Sequence, residues 1–148
     1  MPWVVVIIFI SYFTNRAGLP LLPLSDWVSY SVCAILAIVG ISLSALGVKA
    51  ASFKILVGVD AHTLITKGIY SYIRNPICLS CIVLSFSAAI GFKSITGLIA
   101  AVLALAIIYL HAVLWEEREL KRRFGQQYFD YKKRVGMFIP RLPKVSKE

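Results

Sequence analysis

The stretch HTLITKGIYSYIRNP, residues 62–76, lies between two long apolar segments, and the pair Glu116-Glu117 directly follows the last apolar segment of the chain. Polar and charged side chains at the boundary of a membrane are costly unless they bind a ligand or one another. Each of these two clusters adjoins a hydrophobic segment. We therefore expect both clusters to contribute to one site at one face of a membrane.

The composition indicates an integral membrane protein. Of the 148 residues, 59% are hydrophobic and 16% are charged, and the mean hydropathy is +0.79, which is too apolar for a soluble domain of this length. A membrane span needs about 20 predominantly apolar residues. Residues 27–48, 77–92 and 94–115 contain no Asp, Glu, Lys or Arg and predict three spans. Residues 2–13 predict a first, shorter span, or else a re-entrant or interfacial helix, because Arg16 follows so soon.

The basic residues predict the orientation in the membrane. Four of them lie from Lys49 to Arg74 and ten lie in residues 116–148, whereas the other two connections hold only Arg16 and Lys93. Basic residues gather on the cytoplasmic side of membranes. We therefore expect a multi-pass protein whose two termini and polar site are cytoplasmic. The positive charge also favours contact with anionic membrane lipids, and we expect no nucleic-acid partner.

The fold predicted is all-α: an integral membrane bundle of about four transmembrane helices with a cytoplasmic amphipathic helix near the C-terminus. Only residues 91–94 separate the third and fourth apolar segments, and so short a link forces an antiparallel helical hairpin. The hairpin returns Arg74 and Glu116 to the same membrane face. After the last span we expect the helix to end near Gly125, acting as a C-terminal cap, and an amphipathic helix to follow at roughly 127–135.

The Glu116-Glu117 pair allows two interpretations. In the first it is a solvated helix end that is neutralised by nearby cations, namely Arg118, Arg122 and Arg123. In the second, one carboxylate faces inward toward an ammonium group while Arg74 binds a matching carboxylate, because guanidinium suits bidentate pairing. The two together would then hold an amino-acid-like zwitterion.

The histidines and cysteines give weaker signals. His62 suits a hydrogen-bond partner, a proton carrier or a surface residue, and His111 lies inside an apolar segment, where an ionisable group is a functional candidate. The three cysteines, Cys33, Cys78 and Cys81, lie in or beside apolar segments with no cluster of further ligands. A zinc site needs about four converging ligands, so we expect no metal site.

Residues 62–140 resemble the C-terminal core of the isoprenylcysteine carboxyl methyltransferase family and of the related phospholipid methyltransferases. The elements of that pattern occur here in order: His62 to Gly68-Ile69-Tyr70, Arg74-Asn75-Pro76, Glu116-Glu117, Phe124-Gly125 with Tyr128 and Tyr131, and residues 135–140. The resemblance implies a single membrane domain, 1–148. Within it, residues 1–61 form N-terminal spans, 62–140 the cofactor-binding methyltransferase core and 141–148 a tail.

The resemblance also implies an activity. The enzyme would bind S-adenosylmethionine at the cytoplasmic face and transfer its methyl group directly to a lipophilic acceptor, the carboxylate of an isoprenylcysteine-like substrate. That carboxylate needs no general base and would gain from a cation such as Arg134 or Arg123. The catalytic residues implied are Arg134 and Glu117. The cofactor-binding residues implied are His62, Leu64, Gly68, Tyr70, Arg74, Asn75, Pro76, Glu116 and Glu117.

The chain departs from the family pattern at three positions. Asn75 stands where the family usually has histidine, and asparagine forms hydrogen bonds but does not titrate. Cys78 and Ser80 stand where an aromatic residue and glycine are usual, which would enlarge the pocket at one position and crowd it at the other. These departures predict reduced or altered activity.

Three alternatives stay open at the level of sequence. One is N-methylation of a phospholipid amine, for which His62 or a glutamate would remove the proton. Another is an NADPH-dependent reductase of the sterol type, whose family shares an Arg-x-Pro element and a tyrosine-rich ending; Glu116-Glu117 ahead of Phe124-Gly125 favours the methyltransferase. The last is a non-catalytic membrane protein that keeps the fold.

Overall fold

The computed structural model describes residues 2–19, 21–51 and 64–141. Within these ranges the regular secondary structure is helical. In chain order it comprises α1 (Pro2–Arg16), α2 (Asp26–Ala51), a 3-10 turn (Gly68–Ser71), α3 (Pro76–Gly91), α4 (Ile95–His111), a π-helical segment (Ala112–Glu116) and α5 (Glu117–Arg134). The predicted all-α class is confirmed for the residues described.

Two helices are long and apolar enough to cross a membrane, α2 and the continuous helix that begins at Ile95. The 26 residues of α2 extend about 39 Å, more than the hydrocarbon thickness of about 30 Å. The long helix is free of acidic and basic residues other than His111 as far as Trp115, so α5 lies beyond its apolar part. α1 and α3 are apolar but shorter. Their crossing of the membrane, and with it the predicted number of four spans, stays a prediction.

Helix α3 lies at the centre of the bundle and packs against α1, α2 and α4. Small residues let α2 approach it closely. A Cβ atom on Gly40 would lie 2.7 Å from Cγ of Leu84, and one on Gly47 would lie 2.9 Å from Cγ1 of Ile77. Helices inside a membrane associate through such close contacts, because lipid tails compete equally well for apolar side chains.

Buried hydroxyl groups also join the helices. Ser29 of α2 donates its Oγ hydrogen to the carbonyl of Ile90 on α3 at 2.5 Å. Ser87 of α3 donates in the other direction, to the carbonyl of Cys33 on α2 at 2.9 Å. Each such bond contributes on the order of 0.6 kcal/mol within a membrane. They satisfy polar groups that would otherwise be stranded among apolar side chains.

The link between α3 and α4 turns the chain within three residues. The side chain of Asn15 donates to the carbonyl of Phe92 at 2.7 Å, and the backbone amide of Leu22 donates to the carbonyl of Lys93, also at 2.7 Å. Lys93 also forms an ion pair with Asp26 at the start of α2. The predicted antiparallel hairpin is confirmed, and the residues preceding α3 meet those following α4 at the opposite end.

Helix α5 changes direction at Gly125. This residue has φ +49° and ψ −125° inside an otherwise helical segment, a backbone conformation that glycine adopts without the steric penalty of a Cβ atom. The side chains of Glu117 and Lys132 are in contact, although a straight helix would separate their Cα atoms by about 22 Å. The chain therefore folds back on itself. The predicted break at Gly125 is confirmed, and the cytoplasmic, amphipathic character of the helix that follows it stays a prediction.

Candidate functional site

The centre of the candidate site is a buried ion pair between Arg74 and Glu117. Nη1 of Arg74 donates to Oε1 of Glu117 at 2.7 Å and to the hydroxyl oxygen of Tyr128 at 2.9 Å. The two charged residues are only 9% and 5% exposed. Removing one partner from a pair at such depth leaves an uncompensated charge, which typically costs about 3–5 kcal/mol.

The last described residues, 135–141, form a segment that we call the C-terminal strap. The strap pairs with the backbone just before α3: the amide of Arg74 donates to the carbonyl of Gly136 at 2.9 Å, and that of Asn75 to the carbonyl of Met137 at 3.2 Å. A Cβ atom on Gly136 would overlap the carbonyl oxygen of Ile139. Only glycine therefore fits the bend that begins the strap.

The π-helical segment ends at the carboxylate pair and sets which glutamate meets which partner. Glu117 reaches Arg74, while Oε2 of Glu116 accepts from Nδ2 of Asn75 at 3.3 Å. Segments of π-helix are rare and frequently lie at functional sites. The sequence predicted that the hairpin returns Arg74 and Glu116 to the same face, and the two polar clusters do meet; within them Arg74 pairs with Glu117 and Asn75 pairs with Glu116.

The carboxylate of Glu117 is surrounded by cations. Its Oε2 contacts Nζ of Lys132 and lies 3.9 Å from Nζ of Lys121. Burial by itself raises the pKa of this carboxyl group, but the hydrogen bonds from Lys132 and Arg74 outweigh it, and the pKa lies below its ordinary value. Glu117 is therefore ionised at neutral pH.

One of the two interpretations made from the sequence, a solvated helix end, therefore does not hold for Glu117, which is buried. Glu117 is neutralised, but by Arg74, Lys121 and Lys132 rather than by Arg118, Arg122 and Arg123. Arg123 pairs instead with Glu119, with 2.5 Å between Nε and Oε1. The physical reason is the reversal at Gly125, which brings the end of α5 back to its beginning.

A cluster of buried side chains that includes two tyrosines lies beside these charges. Tyr128, Tyr131 and Val135 are buried and pack against neighbouring apolar residues, namely Leu64, Leu120 and Phe124. The hydroxyl group of Tyr131 donates to the backbone carbonyl of Tyr70 in the 3-10 turn at 2.6 Å. Burial raises the pKa of the phenols of Tyr70 and Tyr131, so both are neutral under ordinary conditions.

A cavity of about 530 Å³ opens against the ion pair, within the range of small-molecule sites. Charged side chains form part of its wall: Arg74, Glu117 and Lys132. The remainder is mostly apolar and comes from Tyr109, Val113 and strap residues 136–141. The cavity can therefore hold a molecule that carries both ionic groups and an apolar or aromatic part.

The predicted site residues differ in how closely they approach the cavity. Arg74 and Glu117 line the cavity, and several others lie around the same ion pair through bonds or packing, namely Leu64, Tyr70, Asn75 and Glu116. Gly68, with φ +62°, opens the 3-10 turn, and Pro76 begins α3. Arg134 is exposed, and its Nε donates to the carbonyl of Asp130 on its own helix at 3.3 Å. His62 lies outside the described residues.

Sequence reasoning did not name as site residues nine that line the cavity: Tyr109, Val113, Lys132 and residues 136–141. Lys132 follows the buried Tyr128 by four residues and so lies on the same face of the helix. The tyrosine pattern in the sequence therefore indicated that Lys132 faces the site. Gly136 lies in a run that the family pattern includes, but its steric role depends on a carbonyl group three residues away. Tyr109 and Val113 lie within a continuous apolar run and carried no local signal.

Comparison with known proteins supports these observations. Residues 15–127 match the sequence model of the family described as phospholipid methyltransferase. The chain is 30% identical over 89 residues to protein-S-isoprenylcysteine O-methyltransferase of Xenopus laevis, and 31% identical over 86 residues to that of Schizosaccharomyces pombe. It is 33% identical over 84 residues to methanethiol S-methyltransferase 2 of Bradyrhizobium diazoefficiens.

These matches cover 60%, 55% and 57% of this chain, and 31%, 35% and 31% of the respective relatives. The chain thus aligns with about a third of the length of the curated relatives. The family's sequence model, in contrast, covers more than half of this chain, including both polar clusters from Gly68 to Glu117. The resemblance predicted from the sequence is confirmed, and the chain belongs to the phospholipid methyltransferase family.

Proposed function

We propose that this protein is a membrane methyltransferase that takes a methyl group from S-adenosylmethionine and transfers it to a lipophilic acceptor. The observation that carries the proposal is the cavity beside the buried Arg74–Glu117 pair, at one end of a bundle of apolar helices. Family membership and the O- and S-methyltransferase names of the relatives agree with it. The basic residues at this end favour a cytoplasmic site in a multi-pass protein.

The side chains in the cavity fit the chemical groups of S-adenosylmethionine. Its amino-acid part carries a carboxylate and an ammonium group, and the cavity offers the cation Arg74 for the first and the carboxylate of Glu117 for the second. Nε of Arg74 is buried and has no hydrogen-bond partner among the described residues, so one guanidinium donor is left for a ligand. Tyr109 and Phe138, whose ring centroids are 6.4 Å apart, suit an adenine ring.

When bound, S-adenosylmethionine supplies an activated methyl group on its sulfonium. The protein's own part is then to orient the acceptor in line with that methyl group and to exclude water. The C-terminal strap contributes by covering the cavity with apolar side chains, among them Phe138 and Ile139. A carboxylate acceptor is ionised at neutral pH and needs no general base.

The charges of the site favour an anionic acceptor. The cavity wall contains three cationic side chains, Arg74, Lys132 and Arg141, and one carboxylate, Glu117. Because the cofactor itself has a net positive charge, an acceptor carboxylate would offset part of the positive charge of the assembled complex. The isoprenylcysteine carboxylate that several relatives are named for has this charge and a lipophilic tail. Arg134 stays our candidate for a second cation at the acceptor, as the family resemblance implies.

Calorimetric titration of the detergent-solubilised protein with S-adenosylmethionine, and separately with NADPH, tests the proposal. We expect the methyl donor to bind and NADPH not to bind. Glu117→Gln should weaken binding about tenfold or more, because it removes a buried charged partner. The matched control is Glu119→Gln, whose carboxylate is half exposed and pairs with Arg123 along the helix; this variant should bind like the wild type.

The outcomes separate the remaining alternatives. Binding of NADPH in place of the methyl donor would favour the sterol-type reductase, and binding of neither would favour a non-catalytic membrane protein. Equal loss of affinity in both glutamate variants would indicate that the cofactor does not bind in this cavity. A second candidate acceptor, a phospholipid amine, is favoured by the description of the family; parallel methyl-transfer assays with a prenylated cysteine and with phosphatidylethanolamine distinguish the two.

A further inference from the structure

The reversal of α5 places a lysine at the candidate site from far along the chain. Lys132 lies fifteen residues after Glu117, yet its Nζ contacts Oε2 of that residue. A straight helix would hold the two Cα atoms about 22 Å apart, beyond the combined reach of the two side chains. The positive φ of Gly125 provides the reversal. The contact between Lys132 and Glu117 therefore depends on the reversal of the backbone at Gly125.

The two oxygens of Glu117 have different partners. Oε1 accepts from Arg74 at 2.7 Å, and Oε2 contacts Lys132, with Lys121 farther away at 3.9 Å. A carboxylate held at both oxygens has a fixed plane, whereas one held at a single oxygen rotates about its last bond. Lys132 thus restricts the orientation of Glu117 and, through Glu117, that of the Arg74 guanidinium.

Lys132 is also joined to the wall of the cavity by its backbone. Nη1 of Arg141 donates to the carbonyls of Lys132 and Lys133, at 3.2 and 3.0 Å. Arg141 ends the described part of the C-terminal strap, and the strap also pairs with the backbone of Arg74 through Gly136. Lys132 therefore connects the strap to the ion pair that it covers.

We propose that Lys132 is a positioning residue of this site, which fixes the Glu117 carboxylate so that Glu117 and Arg74 together present their ligand-binding groups to the cavity. Its effect on the Glu117 carboxylate does not depend on what binds. Its effect on S-adenosylmethionine rests on the proposed function. The two effects are therefore measured separately.

The charged and titratable groups around Glu117 come from three parts of the chain, one of them the π-helical segment, whose last residue Glu116 repels the Glu117 carboxylate. Arg74 approaches from the segment before α3, and Lys121, Tyr128 and Lys132 approach from α5 itself. Replacing Lys132 with Met removes one cation and keeps most of the aliphatic chain. The pKa of Glu117 should then rise, because burial still disfavours the ionised form.

The matched control is the neighbouring lysine. The side chain of Lys133 is 74% exposed and lies 3.6 Å from Asp130, so Lys133→Met removes the same charge from the same helix without touching Glu117. Lys132→Arg keeps the cation and serves as the conservative variant. All three variants are made in the full chain, in the same detergent, and compared with the wild type.

The first measurement is thermal unfolding as a function of pH without cofactor. Glu117 has a folded-state pKa below its unfolded value, so its stabilising contribution is complete above about pH 4.5 and is lost as the pH falls through the folded pKa. We expect Lys132→Met to lower the unfolding temperature at neutral pH, with the difference shrinking below pH about 4.5. Lys133→Met should follow the wild-type curve, and Lys132→Arg should lie close to it.

The second measurement is the affinity for S-adenosylmethionine at neutral pH. We expect Lys132→Met to weaken binding about tenfold, while Lys133→Met and Lys132→Arg stay within about twofold of the wild type. A constant temperature offset for Lys132→Met at every pH, with affinity unchanged, would assign Lys132 to packing and overturn the proposal. If the wild type binds no S-adenosylmethionine while the pH-dependent difference is present, the proposed function fails and the positioning of Glu117 by Lys132 stands.

Discussion

The two ends of the helical bundle each carry an ion pair between a basic side chain and a carboxylate, but the surroundings of the two pairs differ. At one end Lys93 meets Asp26, whose side chain is 72% exposed. At the other end the side chains of Arg74 and Glu117 are 7% and 6% exposed and lie against a cavity. Exposed ion pairs contribute little to stability, whereas removing one member of a buried pair leaves the other charge uncompensated. The same kind of ion pair thus connects the α3–α4 link to the start of α2 at one end and forms part of a candidate binding site at the other.

The largest expected effect comes from breaking the two pairs in parallel. Arg74→Met leaves Glu117 buried with weaker compensation and should lower the free energy of unfolding by about 3 kcal/mol. Asp26→Asn at the opposite end should lower it by less than about 1 kcal/mol. Denaturant or thermal unfolding in detergent measures both. Equal losses would mean that burial does not distinguish the two ends.

A second comparison uses two glycines, one at each end. A Cβ atom on Gly136 would overlap the carbonyl oxygen of Ile139, whereas Gly18, with φ +68°, has open space around its Cβ position. Gly136→Ala should therefore displace the strap and lower stability by about 2–3 kcal/mol, with loss of S-adenosylmethionine binding. Gly18→Ala should lower stability by about 1 kcal/mol through its backbone conformation alone and leave binding unchanged. Unfolding and calorimetry on the same two variants check the contrast.

Retained binding in Gly136→Ala would show that the strap is not part of the ligand site. In that case the cavity described above would still contain the Arg74–Glu117 pair, but its apolar wall would have no role in recognition.

The sequence predicted those features that depend on neighbouring residues. The short link after α3 determined the hairpin, and a glycine after Phe124 indicated the break in α5. Both follow from local rules: a short connection between helices must reverse the chain, and glycine favours backbone conformations that end a helix. The hairpin brings the two polar clusters to the same end of the molecule, and the break at Gly125 returns the end of α5 toward them.

The partners inside the site depend on rotation and on distant contacts, and the sequence did not determine them. Consecutive residues on an α-helix differ by about 100°, so the π-helical segment before Glu117 decides whether Glu116 or Glu117 meets Arg74. That segment, Ala112–Glu116, lies mostly in a uniformly apolar run with no local mark. Lys132 likewise becomes a partner of Glu117 only once the angle of the break at Gly125 is known.

The smallest expected effect concerns two asparagines whose side chains donate hydrogen bonds between segments at the ends of helices. Asn75, which stands where the family usually has histidine, donates to Glu116 at 3.3 Å, and Asn15 at the opposite end donates to the carbonyl of Phe92 at 2.7 Å. Both bonds are exposed, so Asn75→Ala and Asn15→Ala should each lower the free energy of unfolding by about 0.5–1 kcal/mol. The variants should differ in affinity for S-adenosylmethionine, because only Asn75 orients a carboxylate beside the ion pair. Asn75→His keeps a ring N–H donor and should retain affinity better than Asn75→Ala in the same calorimetric titration. Equal affinities for Asn75→Ala and Asn15→Ala would place Glu116 outside the ligand site and leave Glu117 as the glutamate of the pair that serves it.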